Sequence, residues 1–143
     1  MNAMTRAFLL AALLAPLAGC VSDEAIVPVR EPGIALLCVK RNPDLARPEF
    51  VAEIRGSLQA RGIRTLEYGE KAPPECRYRL LYWGEWRWDL KEYLRFAALR
   101  VYDGTTLVGQ STYDDRYDAA LGKYRPTAEK VAVMVDKLFP AAR

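Results

Sequence analysis

Apolar residues change their spacing several times along this chain, and each change predicts an element. Residues 34–40 (IALLCVK) form a short continuous apolar run after Gly33, the pattern of a strand buried on both faces. Beyond the Asn42-Pro43 turn the spacing becomes helical: Phe50, Val51, Ile54 and Leu58 recur on one side, while Glu53, Arg55, Gln59 and Arg61 lie elsewhere. Pro48 suits a first helical position, Glu49 suits the positive end of the helix, and Gly62 supplies the stop. Residues 63–68 predict a second strand. Strand–helix–strand at this spacing predicts a right-handed parallel crossover.

After a loop over 69–75 (GEKAPPE), alternation takes over in 77–89 (RYRLLYWGEWRWD). Tyr78, Leu80, Tyr82, Trp86 and Trp88 share a predicted core face, and Arg77, Arg79, Trp83, Glu85 and Arg87 share the other. Gly84 marks a bulge or a close backbone approach. Residues 93–102 predict a further strand with Ala97, Leu99 and Val101 inward; Arg95 and Arg100 have opposite parity and leave its register ambiguous. Asp103-Gly104 predicts a hairpin, with the last strand over 105–113. A polar loop over 114–125 leads to a second amphipathic helix, carried by Val131, Met134, Val135 and Leu138 between Pro126-Thr127 and Pro140. The predicted order is β-α-β-β-β-β-α. This is an α+β fold: a small mixed, mainly antiparallel sheet with two helices on one face.

The N-terminus follows a different logic. Arg6 precedes the apolar run 7–15 (AFLLAALLA), and Pro16 breaks it before Leu17-Ala18-Gly19-Cys20. A basic start, a short apolar core and small residues at its end make a secretory signal, and the run is too short for the roughly 20 residues of a spanning helix. Leu17-Ala18-Gly19-Cys20 resembles the lipobox of bacterial lipoproteins. That resemblance implies removal of residues 1–19 and lipid modification of Cys20, whose acyl chains would hold the protein on a membrane. Val21, in place of Asp, implies the outer membrane under enterobacterial-type sorting. Residues 20–33, with Pro28 and Pro32 and no sustained period, read as a lipidated start and flexible spacer, and residues 34–140 as one periplasmic domain.

Composition narrows the chemistry. With 21 Lys and Arg against 18 Asp and Glu, the chain is close to neutral, which argues against a nucleic-acid partner. There is no histidine. Ser-His and Cys-His catalytic pairs and His-based zinc sites are therefore excluded. Cys38 and Cys76 remain after Cys20; in an oxidising compartment the pair reads first as a disulfide, with a buried free thiol at Cys38 as the other reading. Asp114, Asp115 and Asp118 lack the alternation of a calcium loop and read as a solvated loop, so no metal or other cofactor is expected. Glu85 and Asp89 are near enough along one strand to suggest an acid–base pair, but nothing marks a pocket around them.

The lipobox ending at Cys20, the Cys-containing first strand and Asn42-Pro43 before the helix combine with Cys76, Trp86-Arg87-Trp88-Asp89, Tyr93 and Val101-Tyr102-Asp103-Gly104. Leu107-Val108-Gly109, Glu129-Lys130-Val131 and Leu138-Phe139-Pro140 complete the set. In order and spacing these resemble a family of small proteobacterial lipoproteins with no established activity. The resemblance implies a single domain and strengthens the Cys38–Cys76 pairing. The resulting expectation is a non-enzymatic, outer-membrane-anchored periplasmic module that contacts an envelope protein or the cell wall. Arg79, Trp83 and Arg87 are the candidate contact residues, because an aromatic among arginines resembles an interaction hot spot; the other reading has Trp83 covering the outer face of the sheet with its arginine neighbours stacked on it. The alternative is a small-molecule or glycan binder with a pocket between sheet and helices, lined by Trp86, Trp88 or Tyr93.

Overall fold

A computed structural model describes residues 26–118 and 121–141. Cys20 and the signal segment lie outside the described residues. Five strands form one sheet: β1 (Leu36–Lys40), β2 (Arg64–Tyr68), β3 (Tyr78–Asp89), β4 (Lys91–Asp103) and β5 (Thr106–Asp114). Their order across the sheet is β2-β1-β3-β4-β5. β1 runs parallel to both β2 and β3, whereas β3, β4 and β5 form an antiparallel meander. Helices α1 (Pro48–Gln59) and α2 (Thr127–Leu138) cover one face. The predicted α+β fold is present.

Local chemistry accounts for these elements. α1 starts with Pro48 in its first turn and turns Phe50, Val51, Ile54 and Leu58 inward. Gly62 follows it with φ +76°, a conformation glycine adopts without steric cost. α2 buries Val131, Met134, Val135 and Leu138 on its corresponding stripe. Both stripes meet Leu37 and Val39 of β1, Leu80 and Tyr82 of β3, and Leu99 and Val101 of β4 in one apolar core. Full burial of a side chain such as Phe50 or Leu58 contributes about 1.5–3 kcal/mol.

The opposite face of the sheet carries no helix among the described residues. Its β1–β2 side is instead closed by a small second core of Cys38, Tyr68 and Cys76, with Leu36, Leu66 and Ala72 packed against it. The Cys38–Cys76 disulfide ties the loop before β3 to β1. β1 is thus buried on both faces, as its continuous apolar run predicts.

Three expectations need correction. Trp88 shares the parity of the core face but is 76% exposed, because the β3–β4 ribbon runs past the helices that would cover it. β4 begins at Lys91, two residues before the predicted start, since the ribbon turns tightly at Leu90 (φ 61°). The end of the predicted spacer is not free: Val27 exchanges two backbone hydrogen bonds with Gln110 of β5, and the Val29 amide donates to the Leu138 carbonyl. The Val29 side chain is buried in the core over Gly109, where a Cβ would lie only 2.3 Å from it.

Candidate functional site

The exposed half of the helix-free face is built from the register of β1, β3, β4 and β5. Lys40 is the outward residue at the end of β1, because Leu37 and Val39 point into the main core. The parallel register sets Cys38 beside Arg79 and Val39 beside Leu80, which brings Lys40 alongside Leu81. Across β3 and β4, Arg79 faces Tyr102, Leu81 faces Arg100, Trp83 faces Ala98 and Glu85 faces Phe96. On β5, Gln110 lies opposite Arg100 and Thr112 opposite Ala98. The result is a shelf with Leu81 half-buried at its centre and Trp83 40% exposed beside it.

The charges on this shelf are unevenly satisfied. Glu85 accepts from Arg95 at 3.0 Å and, at 3.5 Å, from the Trp83 indole N–H. Asp114 is buried and accepts from the backbone and guanidinium of Arg116. Off the shelf, Asp103 stands opposite Tyr78 on the helix side and pairs with Arg77 at 2.9 Å. These guanidinium contacts hold the Asp103 and Asp114 carboxyls below the usual carboxylate range. Arg100, by contrast, donates to the neutral amide oxygen of Gln110 at 3.1 Å, and Arg79 donates to the Gly104 carbonyl. Neither has a carboxylate partner among the described residues. The carboxylates of the shelf are occupied and two of its guanidinium groups are not.

Arg79, Trp83 and Arg87 share one strand face but not one cluster. Four residues of strand separate each from the next, about 13 Å. Arg87 lies beyond the shelf, opposite Tyr93 near the ribbon tip. The residues that complete the group around Arg79 and Trp83 are Lys40, Leu81 and Arg100. Lys40 is brought in by the parallel β1–β3 pairing. Arg100 could have been placed only with the strand register in hand, and its parity clash with Arg95 was the available signal. The register shift lies between Glu85 and Trp86, and Arg95 is the additional residue on β4 opposite it.

The space expected for a pocket is filled. Trp86 packs edge-to-face on Phe50 at 5.1 Å between ring centroids, and the Arg47 guanidinium lies 4.6 Å over the Trp86 ring. Gly84 makes room for this ring, since a Cβ there would lie 2.7 Å from it. Asp89 is held by Lys123 at 2.6 Å and by the Tyr124 hydroxyl at 3.0 Å, so Glu85 and Asp89 each serve a separate ion pair. Asp118 pairs with Arg125 and accepts from Tyr113. No cluster of acidic or sulfur ligands suited to a metal occurs among the described residues.

Away from the shelf, Lys130 of α2 is a cation taken almost fully into the interior. Its ammonium donates to the Leu94 and Lys123 carbonyls at 3.0 and 2.6 Å, and lies 4.8 Å from the Tyr113 ring centre. Burial lowers its pKa to about 8. Its donors are spent on the backbone of β4 and of the turn at Lys123, which gives it a structural role.

The sequence matches no protein-family model and no curated protein. Among solved structures, the chain is similar to the PelC dodecamer from Paraburkholderia phytofirmans in space group P6, with a TM-score of 0.52 and 17% identity over 81% of this chain and 96% of that one. A second structure, a dodecamer of a single-substitution PelC variant from the same organism in space group C2, gives a TM-score of 0.47 and 18% identity, covering 82% of this chain and 93% of that one. The first of these likenesses shows a shared fold.

Proposed function

We propose that this chain is a non-enzymatic interaction module of the bacterial cell envelope, tethered to the outer membrane through lipidated Cys20 and contacting an envelope partner through the helix-free face of its sheet. The observation that carries the reading is Trp83, a large aromatic left 40% exposed on a sheet face that no helix among the described residues covers. Trp83 stands next to Leu81 and diagonal to Arg100 across the strand pair, and exposed aromatics and arginines are the residues that interaction hot spots favour. The lipobox resemblance supports the location, and the Cys38–Cys76 bond fits an oxidising compartment. The PelC chain of similar fold forms a dodecamer, so this architecture is compatible with extensive protein contacts. The filled space beneath Trp86 favours this reading over a pocket for a glycan or small molecule.

The test uses the natural host. Trp83→Ala, alone and combined with Arg79→Ala, is expected to remove the proteins that co-purify with the wild-type chain. Trp88→Ala, at the exposed ribbon tip, is expected to leave them in place. Equal recovery from wild type and Trp83→Ala would refute the assignment of this face.

A further inference from the structure

We infer that the shelf formed by Lys40, Arg79 and Arg100 around Leu81, with Trp83 beside it, receives an acidic protein segment that also carries apolar side chains. This rests on the reading of the helix-free face as the contact surface, and it names the chemistry of the partner.

Lys40 and Arg100 flank Leu81 on the neighbouring strands, two strand spacings apart, or about 9.6 Å. Arg79 stands two residues from Leu81 along β3, about 7 Å. On the same face Glu85 and Asp114 are taken up by Arg95 and Arg116. Asp44 and Glu70 line the hollows on either side of Lys40, which makes Lys40 the weakest of the three cations. Among the described residues Arg79 and Arg100 remain as planar forks bonded only to neutral oxygens, and such forks recognise carboxylates bidentately.

The apolar side chains of the shelf favour a protein over an acidic polysaccharide. Trp83 alone would suit a sugar ring. Leu81 stands at the centre of the cations, however, with half-buried Tyr102 opposite Arg79 at one end and half-buried Phe96 opposite Glu85, beyond Trp83, at the other. A hydrated polymer would leave this aliphatic and aromatic area wet. A segment with both carboxylates and apolar side chains would cover it, with an apolar centre and a charged rim.

The decisive experiment measures binding of a random glutamate–tyrosine copolymer to the full chain in neutral detergent, with polygalacturonate as the glycan probe. Saturable copolymer binding is expected, weakening steeply between about 50 and 300 mM salt as the charges are screened. Arg79→Gln with Arg100→Gln is expected to weaken it at least tenfold. Arg30→Gln with Arg64→Gln, a pair of exposed cations elsewhere, removes the same charge and is expected to change it less than twofold. Retained Cys38–Cys76 bonding and an unchanged unfolding midpoint verify that each variant is folded. Tighter binding of polygalacturonate, equal losses in the two variant pairs, or no copolymer binding would each overturn the inference. Photo-crosslinking in the native host from a probe at Trp83 separates the two readings: a specific partner adduct without copolymer binding would leave the contact face standing and remove its acidic chemistry, and no adduct would remove both.

Discussion

Gly84, Trp86 and Phe50 show how a single missing side chain shapes the sheet. The Trp86 ring lies over Gly84 and meets Phe50 edge-on, so a methyl at Gly84 would stand 2.7 Å from the ring. Gly84→Ala is expected to destabilise the fold by about 1–3 kcal/mol, the usual range for overpacking, as read by denaturant unfolding. Asp114 supplies a pH dependence. Arg116 holds its buried carboxyl below the ordinary range, while in the unfolded chain it titrates near 3.9. The unfolded state therefore binds more protons between those two values. The contribution is complete above the unfolded value and is lost as pH falls through the folded one. Asp114→Asn is expected to cost about 1–2 kcal/mol at pH 7, and the wild-type advantage should shrink towards zero on acidification. A difference that stays constant down to about pH 2 would contradict this account.

At the scale of elements, periodicity read well where one residue pattern met one environment. The α1 and α2 stripes, the doubly buried β1 and the Asp103-Gly104 hairpin all follow from spacing and turn chemistry. Alternation along β3 also placed Leu80, Tyr82 and Trp83 on their proper faces. It failed at Trp88, because parity specifies a direction and not whether another element lies there. It could not resolve Arg95 against Arg100, because an extra residue on β4 flips parity without altering composition. The candidate site was legible only in part for the same reason: Arg79 and Trp83 are visible in one strand, whereas Lys40 and Arg100 join them through pairing between strands. The disulfide links elements that the main core does not, fastening the loop before β3 to β1 across 38 residues. A loop of that length corresponds to roughly 4 kcal/mol in the chain-entropy model. Alkylation without reductant is expected to leave Cys38 and Cys76 unlabelled in intact-mass analysis. Reduction should lower the unfolding midpoint markedly.

For the whole molecule, the two faces of the sheet divide the labour. One is occupied by α1 and α2, whose apolar stripes stabilise the fold. The other is half closed by the disulfide-linked cluster and half open, carrying Trp83 together with Arg79 and Arg100, which have no carboxylate partner among the described residues. Val27 and Val29 fasten the chain leading back towards Cys20 along β5 and the end of α2. The central claim is that the shelf on β1, β3 and β4 meets a partner. Its most direct test is site-specific photo-crosslinking in the native host, with the probe at Trp83 and a control at Glu53 on the exposed side of α1. The account predicts a discrete protein adduct at Trp83 and none at Glu53. No adduct at Trp83, or the same adduct at both positions, would contradict it.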